Sequence, residues 1–310
     1  MASHLLIVNS ISGRGFARRA LPEIKKHLWE YDVKYQVAFT ERPWHAAELA
    51  EQGARQGYEV VVAVGGDGTA NEVLNGLMRA RQAGGEQVAL GLVAVGTGND
   101  FAAGIGVPLG VREGCRVLAE NYRRRVDIGR LEGGDYPQGR YFGNGIGIGF
   151  DAATGFVAAR IRFVRGLLLY LLAALETIFV YYKPPTVRLV VDDQEIVQPF
   201  LMISIMNGRR MGGGFLFAPQ AEVTDGLFDL CIASSASRLR ILQLIPYFIK
   251  GTQATQKEVR TGRARRVEVV AVQGTLPIHC DGETVCYAGH SLRAEVLTGV
   301  VECVTQRPPR

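Results

Sequence analysis

Short apolar runs alternate with amphipathic stretches over roughly the first 125 residues of the chain. "HLLIVN", "YQVAFT", "EVVVAV" and "VALGLVAV" read as strands, while "FARRALPEIKKHLWE", "WHAAELAEQGARQG" and "NEVLNGLMRARQ" repeat their apolar residues at helical spacing. Strands without a polar face need cover on both sides. The alternation therefore predicts an α/β domain with a parallel sheet between helices, where ligands sit at the carboxyl ends of the strands. Three glycine-containing turns, "NSISGRG", "GGDGT" and "GTGND", fall at those ends.

After about residue 126 the rhythm becomes strand after strand: "TVRLVVDDQEIVQPFLMISIMN", "GLFDLCIA", "RRVEVVAV" and "SLRAEVLTGVVECV", separated by Gly, Asp and Pro turns. This pattern predicts antiparallel sheets arranged as a sandwich. Residues 156–182 and "SRLRILQLIPYFIKG" are its helical candidates. Within the first, "GLLLYLLAALETIFVYY" (166–182) is interrupted by Glu176 and stops short of the ~18–20 apolar residues that a spanning helix needs. It is read as a non-spanning helix. It either packs in the core or lies partly exposed against a membrane, since Arg160, Arg162 and Arg165 stand directly upstream.

The junction "VVAVGGDGTANEVLNGL" (61–77) carries the clearest chemical signal. Ala70, Val73, Leu74, Leu77 and Met78 form one apolar face, so a helix is expected from about Ala70, with Thr69 and Glu72 as a capping box. Gly65, Gly66 and Gly68 are costly in a regular element and predict positive φ values and a close approach of backbone to ligand. A helix N-terminus favours phosphate. Asp67 beside a bound phosphate is repulsive unless a divalent cation lies between them or the acid accepts a proton, so the turn suggests phosphoryl transfer. No Lys-Ser/Thr follows the glycines, which excludes a P-loop, and the G-x-G-x-x-G spacing is absent here. "GIGFDA" (147–152) fits that spacing but lacks an acid ~20 residues on, and reads instead as a glycine-rich strand passing near the site.

Composition narrows the setting. The 310 residues, 47% hydrophobic, suffice for two domains. Thirty-five Lys and Arg against 30 Asp and Glu give a formal charge of +5, a mild bias compatible with phosphates or anionic lipid. Five scattered cysteines without a CxxC pair indicate reduced thiols and a cytoplasmic setting. The five histidines show no metal spacing, and His279 reads as a strand residue. No secretory signal precedes the first strand, and no nucleic-acid partner is expected.

"GGDGTANEV", "GTGNDFA", "VDIG", "NGIGIGFDA", "VTDGLFDL" and "CDGE", in this order, resemble the diacylglycerol kinase catalytic family, in particular its soluble bacterial lipid kinases. The resemblance spans residues 7–283. It implies an α/β nucleotide-binding domain over 1–127, rejoined by about 297–310, and a β-sandwich domain over 128–296, with the active site in the cleft. It places ATP against Asn9, Ser10, Ile11, Ser12, Gly13, Thr40, Gly66, Asp67, Gly68, Thr69, Ala70, Asn71, Glu72 and Thr97. Glu283 falls on the general base. Asp225 matches a structural Mg²⁺ site completed by the carbonyls of Glu222 and Leu227, while Asp100 and Asp127 match acids linking that ion to the active centre. A second, catalytic Mg²⁺ would arrive with the nucleotide, with Asp67 beside it. Homodimers are common in the resembled family.

From the residues alone, "TDG" is also an ordinary Asx turn and "CDGE" a hairpin with Asp281 and Gly282 at its tip. Arg14 suits a terminal phosphate or a lipid head group and is equally a solvated loop arginine, while Arg162 and Arg165 are further head-group candidates beside the apolar helix. The reading is an ATP-dependent lipid kinase in peripheral contact with the inner face of the membrane. Diacylglycerol, a sphingosine-like base and phosphatidylglycerol all remain open as its acceptor. A kinase of a soluble metabolite and a catalytically silent nucleotide- or lipid-binding regulator are the alternatives. Residues 238–266, with eight basic residues against Glu258 alone, favour the lipid, although a strand such as "RTGRARRVEVV" can simply carry a solvated edge.

Overall fold

The computed structural model describes residues 3–161, 164, 166–180 and 183–308. Arg162 and Arg165 lie outside them. The chain divides into two compact units, residues 1–127 with 299–310 and residues 128–298.

Unit 1 is an α/β domain built from β1 (His4–Val8), α1 (Ser12–Glu30), β2 (Tyr35–Phe39), α2 (His45–Arg55), β3 (Val60–Gly65), α3 (Asp67–Gln82), β4 (Ala89–Ala94), α4 (Asp100–Gly104) and α5 (Val111–Glu120). β1 pairs with β2 and β3, and β3 with β4, all in parallel. The end of a long strand, β15 (Ser291–Val304), adds a further parallel pairing at Cys303 and Leu90. The apolar runs read from the sequence are the buried strands: every residue of β1 and β3 is buried. Leu6, Val62 and Val64 pack against Ile24 and Leu28 of α1. These β-branched residues suit a central strand because both faces of the pleat meet helices.

Unit 2 begins on β5 (Arg123–Gly133), which starts in unit 1 and pairs with β15 and with β6 (Tyr136–Phe142). There follow β7 (Gly145–Gly149), α6 (Phe150–Ala158), α7 (Gly166–Val180), β8 (Thr186–Val191), β9 (Gln194–Met206), β10 (Phe228–Ser234), α8 (Arg238–Lys250), β11 (Val259–Ala264), β12 (Arg266–Gln273), β13 (Leu276–Cys280), β14 (Glu283–Gly289) and β15. One antiparallel run is β6-β5-β15-β12-β8-β9, and the other is β14-β13-β7-β9-β10-β11. β9 belongs to both: residues 194–199 pair with β8, and residues 202–206 with β7. Phe142, Ile148, Leu189, Phe200, Phe228 and Val269 fill the core of this sandwich-like domain.

Three local expectations are corrected. The helix expected across 156–182 is two helices: α6 starts earlier, at Phe150, and α7 starts at Gly166. α3 starts at Asp67 rather than Ala70, and its capping box does not form. Thr69 Oγ1 instead accepts from Asn9 Nδ2 at 3.0 Å, and Glu72 Oε2 accepts from the Ala46 N–H in the first turn of α2 at 3.1 Å. Finally, Gly65, Gly66 and Gly68 are not in the positive-φ region. Gly65 and Gly66 serve close packing: a Cβ would lie 2.4 Å from Thr69 Oγ1 at Gly65 and 3.1 Å from the Gly96 Cα at Gly66.

Candidate functional site

In unit 1 the three glycine turns pack together at the carboxyl ends of the parallel strands. Asn9 follows β1; its Nδ2 holds Thr69, and its Oδ1 accepts from the Ile11 N–H at 3.3 Å. Gly13, Arg14 and Gly15 are all left-handed, with φ of 57°, 57° and 81°, so the chain curls before α1 becomes regular. A Cβ on Gly13 would sit 2.3 Å from the Val95 carbonyl oxygen, which seats this loop on the end of β4. Ser10, Ile11 and Ser12 lie in the same loop, and Thr40 joins it by donating its N–H to the Val8 oxygen at 3.0 Å.

The other two turns meet glycine backbone to glycine backbone. A Cβ on Gly96 would lie 2.3 Å from the Gly66 Cα. Asn99, left-handed at φ 53°, closes its turn by accepting from the Gly96 N–H at 3.0 Å and donating to the Gly96 oxygen at 3.1 Å. Asp67 spans the two turns: its Oδ1 accepts from the Phe101 N–H of α4 at 3.0 Å. Asp67 and buried Asp100 both approach Gly98, where a Cβ would meet their Oδ2 atoms at 2.9 and 3.4 Å. Thr97 is exposed in that turn, between the two glycines. No side chain caps α3, an arrangement in which the N–H groups and positive dipole end of a helix favour an anion. Gly68, Ala70 and Asn71 follow in its first two turns. Asp127 is buried elsewhere in the unit, where its Oδ1 accepts from the Gly299 N–H at 2.7 Å, tying β5 to β15.

Unit 2 brings together three acids and one arginine. Asp225 Oδ1 accepts from the Leu227 N–H at 3.1 Å across Gly226, an Asx turn with φ +74° at the glycine. Arg263 approaches Asp225 Oδ2 at 3.5 Å and Asp229 Oδ1 at 3.4 Å. Asp229 Oδ2 is buried without a hydrogen-bond partner. Burial chiefly holds the Asp229 carboxyl above its usual range, Arg263 opposes this, and the charges of Asp225 and Glu222 add to it. One guanidinium thus leaves an oxygen-rich turn short of positive charge. Among the described residues no three acidic, imidazole or thiol side chains form a ready cage. A hard ion relying on one or two carboxylates, carbonyls and water, as Mg²⁺ does, fits what is present.

Glu283 opens β14 and is exposed, opposite Cys280 across the hairpin. Asp281 and Gly282, at φ 48° and 81°, form the tight turn read from the sequence. Its anchor leaves no mark in the local residue pattern. The buried Asp281 carboxylate accepts from three backbone N–H groups, Gly143 at 2.8 Å and Asn144 and Gly145 at 2.9 Å each, fixing the hairpin to the β6–β7 connection.

Unit 2 also holds an apolar cavity, open at its mouth, between α6, α7 and α8. Tyr170, Met202, Phe215, Ile241, Leu244 and Phe248 line it, with Asp151 in the wall. Asp151 Oδ2 lies 3.3 Å from His279 Nε2, four residues before Glu283. The glycine-rich β7 makes room for this pair, since a Cβ on Gly147 would lie 2.2 Å from Asp151 Oδ2 and 2.3 Å from His279 Nε2. The residue pattern marks His279 as a strand residue, which it also is, and leaves Asp151 unmarked; the glycine at 147 is the one local signal of the pair. The cysteines supply no nucleophile: all five are buried and free, and burial pushes the Cys115 and Cys231 thiols up to about 12.

The diacylglycerol kinase catalytic domain matches residues 3–131, and the YegS C-terminal NAD kinase beta sandwich-like domain matches residues 144–305. A diacylglycerol kinase of Mycobacterium tuberculosis is 30% identical over 282 residues, covering 90% of this chain and 88% of its own length. The chain belongs to the diacylglycerol kinase catalytic family. Another member, named "Probable lipid kinase YegS-like" in Chromohalobacter salexigens, is 32% identical over 285 residues, covering 91% of this chain and 88% of that protein. A crystal structure of a diacylglycerol kinase from Bacillus anthracis shares the fold with a TM-score of 0.74 at 20% identity, over 98% of this chain and 97% of that one. An NAD kinase from Archaeoglobus fulgidus in complex with ATP shares it more distantly, with a TM-score of 0.53 at 14% identity over 97% and 93%. Membership in the diacylglycerol kinase family makes this chain a kinase.

Proposed function

We propose that this kinase transfers the γ-phosphoryl group of ATP to a hydroxyl of a lipid. The apolar cavity of unit 2 carries the reading. A soluble metabolite gains nothing from a slot lined by Phe215, Leu244 and Phe248, whereas a hydrocarbon chain gains about 25 cal/mol for each Å² it buries. The Asp151–His279 contact ties the cavity wall to the strand that leads into Glu283.

In this reading the acceptor oxygen bonds to the γ-phosphorus as the bridging P–O bond breaks and ADP leaves. Glu283 takes the hydroxyl proton, with Asp281 holding its hairpin still. The turns of Asn9–Gly13 and Gly66–Glu72, with Thr40 and Thr97, seat the triphosphate, while Asp67 and Asp100 keep the two glycine turns in register. Mg²⁺, when bound, neutralises phosphate charge. Asp225, helped by Asp229 and the carbonyls of Glu222 and Leu227, would hold the structural ion, with Asp127 as a supporting acid.

Contact with an anionic bilayer belongs to the same proposal. Leu168, Leu172 and Phe179 are exposed along one face of α7, whose other face is buried through Leu169, Ala173 and Ile178. Exposed Arg160 and Lys183 flank that helix, and exposed Arg238 and Lys250 stand at the ends of α8, so apolar surface and positive charge occur together. Among the described residues no helix is long and apolar enough to cross a membrane. The buried free thiols suit the reducing cytoplasmic side.

The test is γ-labelled ATP with a panel of lipid alcohols in mixed micelles. A labelled lipid is expected, with Glu283→Ala lowering turnover about 10²-fold or more. Full turnover by Glu283→Ala sinks the assigned base. Absence of any labelled lipid sinks the lipid acceptor.

A further inference from the structure

We infer that Asp151, held by His279, selects the acceptor: it anchors a second hydrogen-bond donor next to the lipid chain, so single-chain acceptors with two donors outcompete diacylglycerol. The inference rests on the lipid-kinase reading and names the substrate class that its cavity favours.

Among the described side chains lining the cavity, Asp151 is the one carboxylate. Its side chain is 13% exposed and that of His279 is 9% exposed. A carboxylate so placed is costly unless hydrogen bonds replace the lost water. His279 Nε2 serves Oδ2 at 3.3 Å. The nearby hydroxyl of Thr154 is already committed, donating to the Phe150 oxygen at 2.8 Å. The carboxylate thus stands in the wall of an otherwise apolar cavity, where a ligand that enters with a hydrogen-bond donor meets an acceptor.

Lipid alcohols divide sharply by this criterion. Diacylglycerol has one hydroxyl, which is the group to be phosphorylated, and its ester oxygens only accept. Against Asp151 they meet like partial charge. A monoacylglycerol keeps a second hydroxyl, and a sphingoid base keeps a hydroxyl and an ammonium, so either can donate to Asp151 while presenting its reacting hydroxyl. A hydrogen bond to a charged group is worth about 1.5–3 kcal/mol, or roughly 10- to 100-fold in relative rate.

The experiment measures kcat/KM of the full chain for monoacylglycerol, sphinganine and diacylglycerol of matched chain length in the same mixed micelles. The wild type is expected to prefer at least one two-donor lipid over diacylglycerol by about tenfold or more. In Asp151→Leu that ratio should fall to within about threefold of unity. Asp151→Asn keeps the volume and a weaker acceptor, should give an intermediate ratio, and decides the matter if the leucine variant does not fold. A wild-type preference for diacylglycerol, or a ratio that both variants leave within twofold of wild type, overturns the inference while leaving the lipid-kinase reading intact. If no lipid is phosphorylated, both fall.

Discussion

Gly96→Ala adds one methyl group where two turns of unit 1 meet backbone to backbone. The added Cβ would stand 2.3 Å from the Gly66 Cα, 3.1 Å from the Gly66 nitrogen and 2.8 Å from Asn99 Oδ1. Carbon atoms rest at about 3.5 Å or more, so the Gly66 and Gly96 turns must part by roughly 1 Å. No flexible side chain can give way at Gly66. Overpacking of this kind costs about 1–3 kcal/mol, and disturbing either neutral bond between Asn99 and Gly96 costs about another 0.5–1.5 kcal/mol. At about 2–4 °C per kcal/mol for a domain of 150–250 residues, thermal unfolding of unit 1 should shift down by several degrees. A misplacement of about 1 Å at a reacting group costs about 10²-fold, so kcat/KM for ATP should fall by a similar factor. On the proposed reading the acceptor binds the unit 2 cavity, whose lining holds no residue of this turn, so the KM for lipid should change by less than about threefold. Thermal melting and steady-state kinetics with each substrate varied in turn check this. Wild-type stability together with a wild-type kcat/KM for ATP would refute the argument that this glycine contact sets the triphosphate seat.

Asp229→Asn replaces a carboxylate that burial already disfavours, with one oxygen left unpartnered. Without metal the variant is expected to be at least as stable as wild type, and, if Mg²⁺ binds this turn as proposed, to show a smaller rise in Tm with Mg²⁺ than wild type. A melting series with and without MgCl₂ tests both, and a full Mg²⁺ response in the variant would show that Asp229 does not assist the ion. Burial, opposed by the charge of Glu59, lowers the pKa of His4 in unit 1. The unfolded chain therefore takes up the proton first. Stability contributed by neutral His4 is fully present above its ordinary pKa of about 6.5 and is lost as pH falls from there through the lowered folded value. Urea unfolding of His4→Gln between pH 5 and 8 should show a flatter pH dependence, and an unchanged slope would assign it to other groups.

Periodicity by itself determined the two halves of the fold, because burial on both faces of a parallel strand, or on one face of a helix, leaves a pattern in the residues themselves. The β1, β3 and β4 runs and the Asp281-Gly282 hairpin were legible for that reason, as was the region of the phosphate turns, since glycine there answers a local demand. Tertiary contacts decided how those residues are used. Thr69 and Glu72 have the spacing of a capping box, yet Asn9 and the start of α2 offer them partners that no local pattern announces. The glycines of the GGDG turn are short of space rather than left-handed, because Gly66 meets Gly96 from another strand. Asp151 and His279 stand 128 residues apart and meet only because β7 pairs with β13. Spacing along the chain records what a residue needs from its own element. Which distant element supplies its partner is a property of the packed sheets, and the cavity that speaks for the acceptor exists only once α6, α7 and α8 have packed around it.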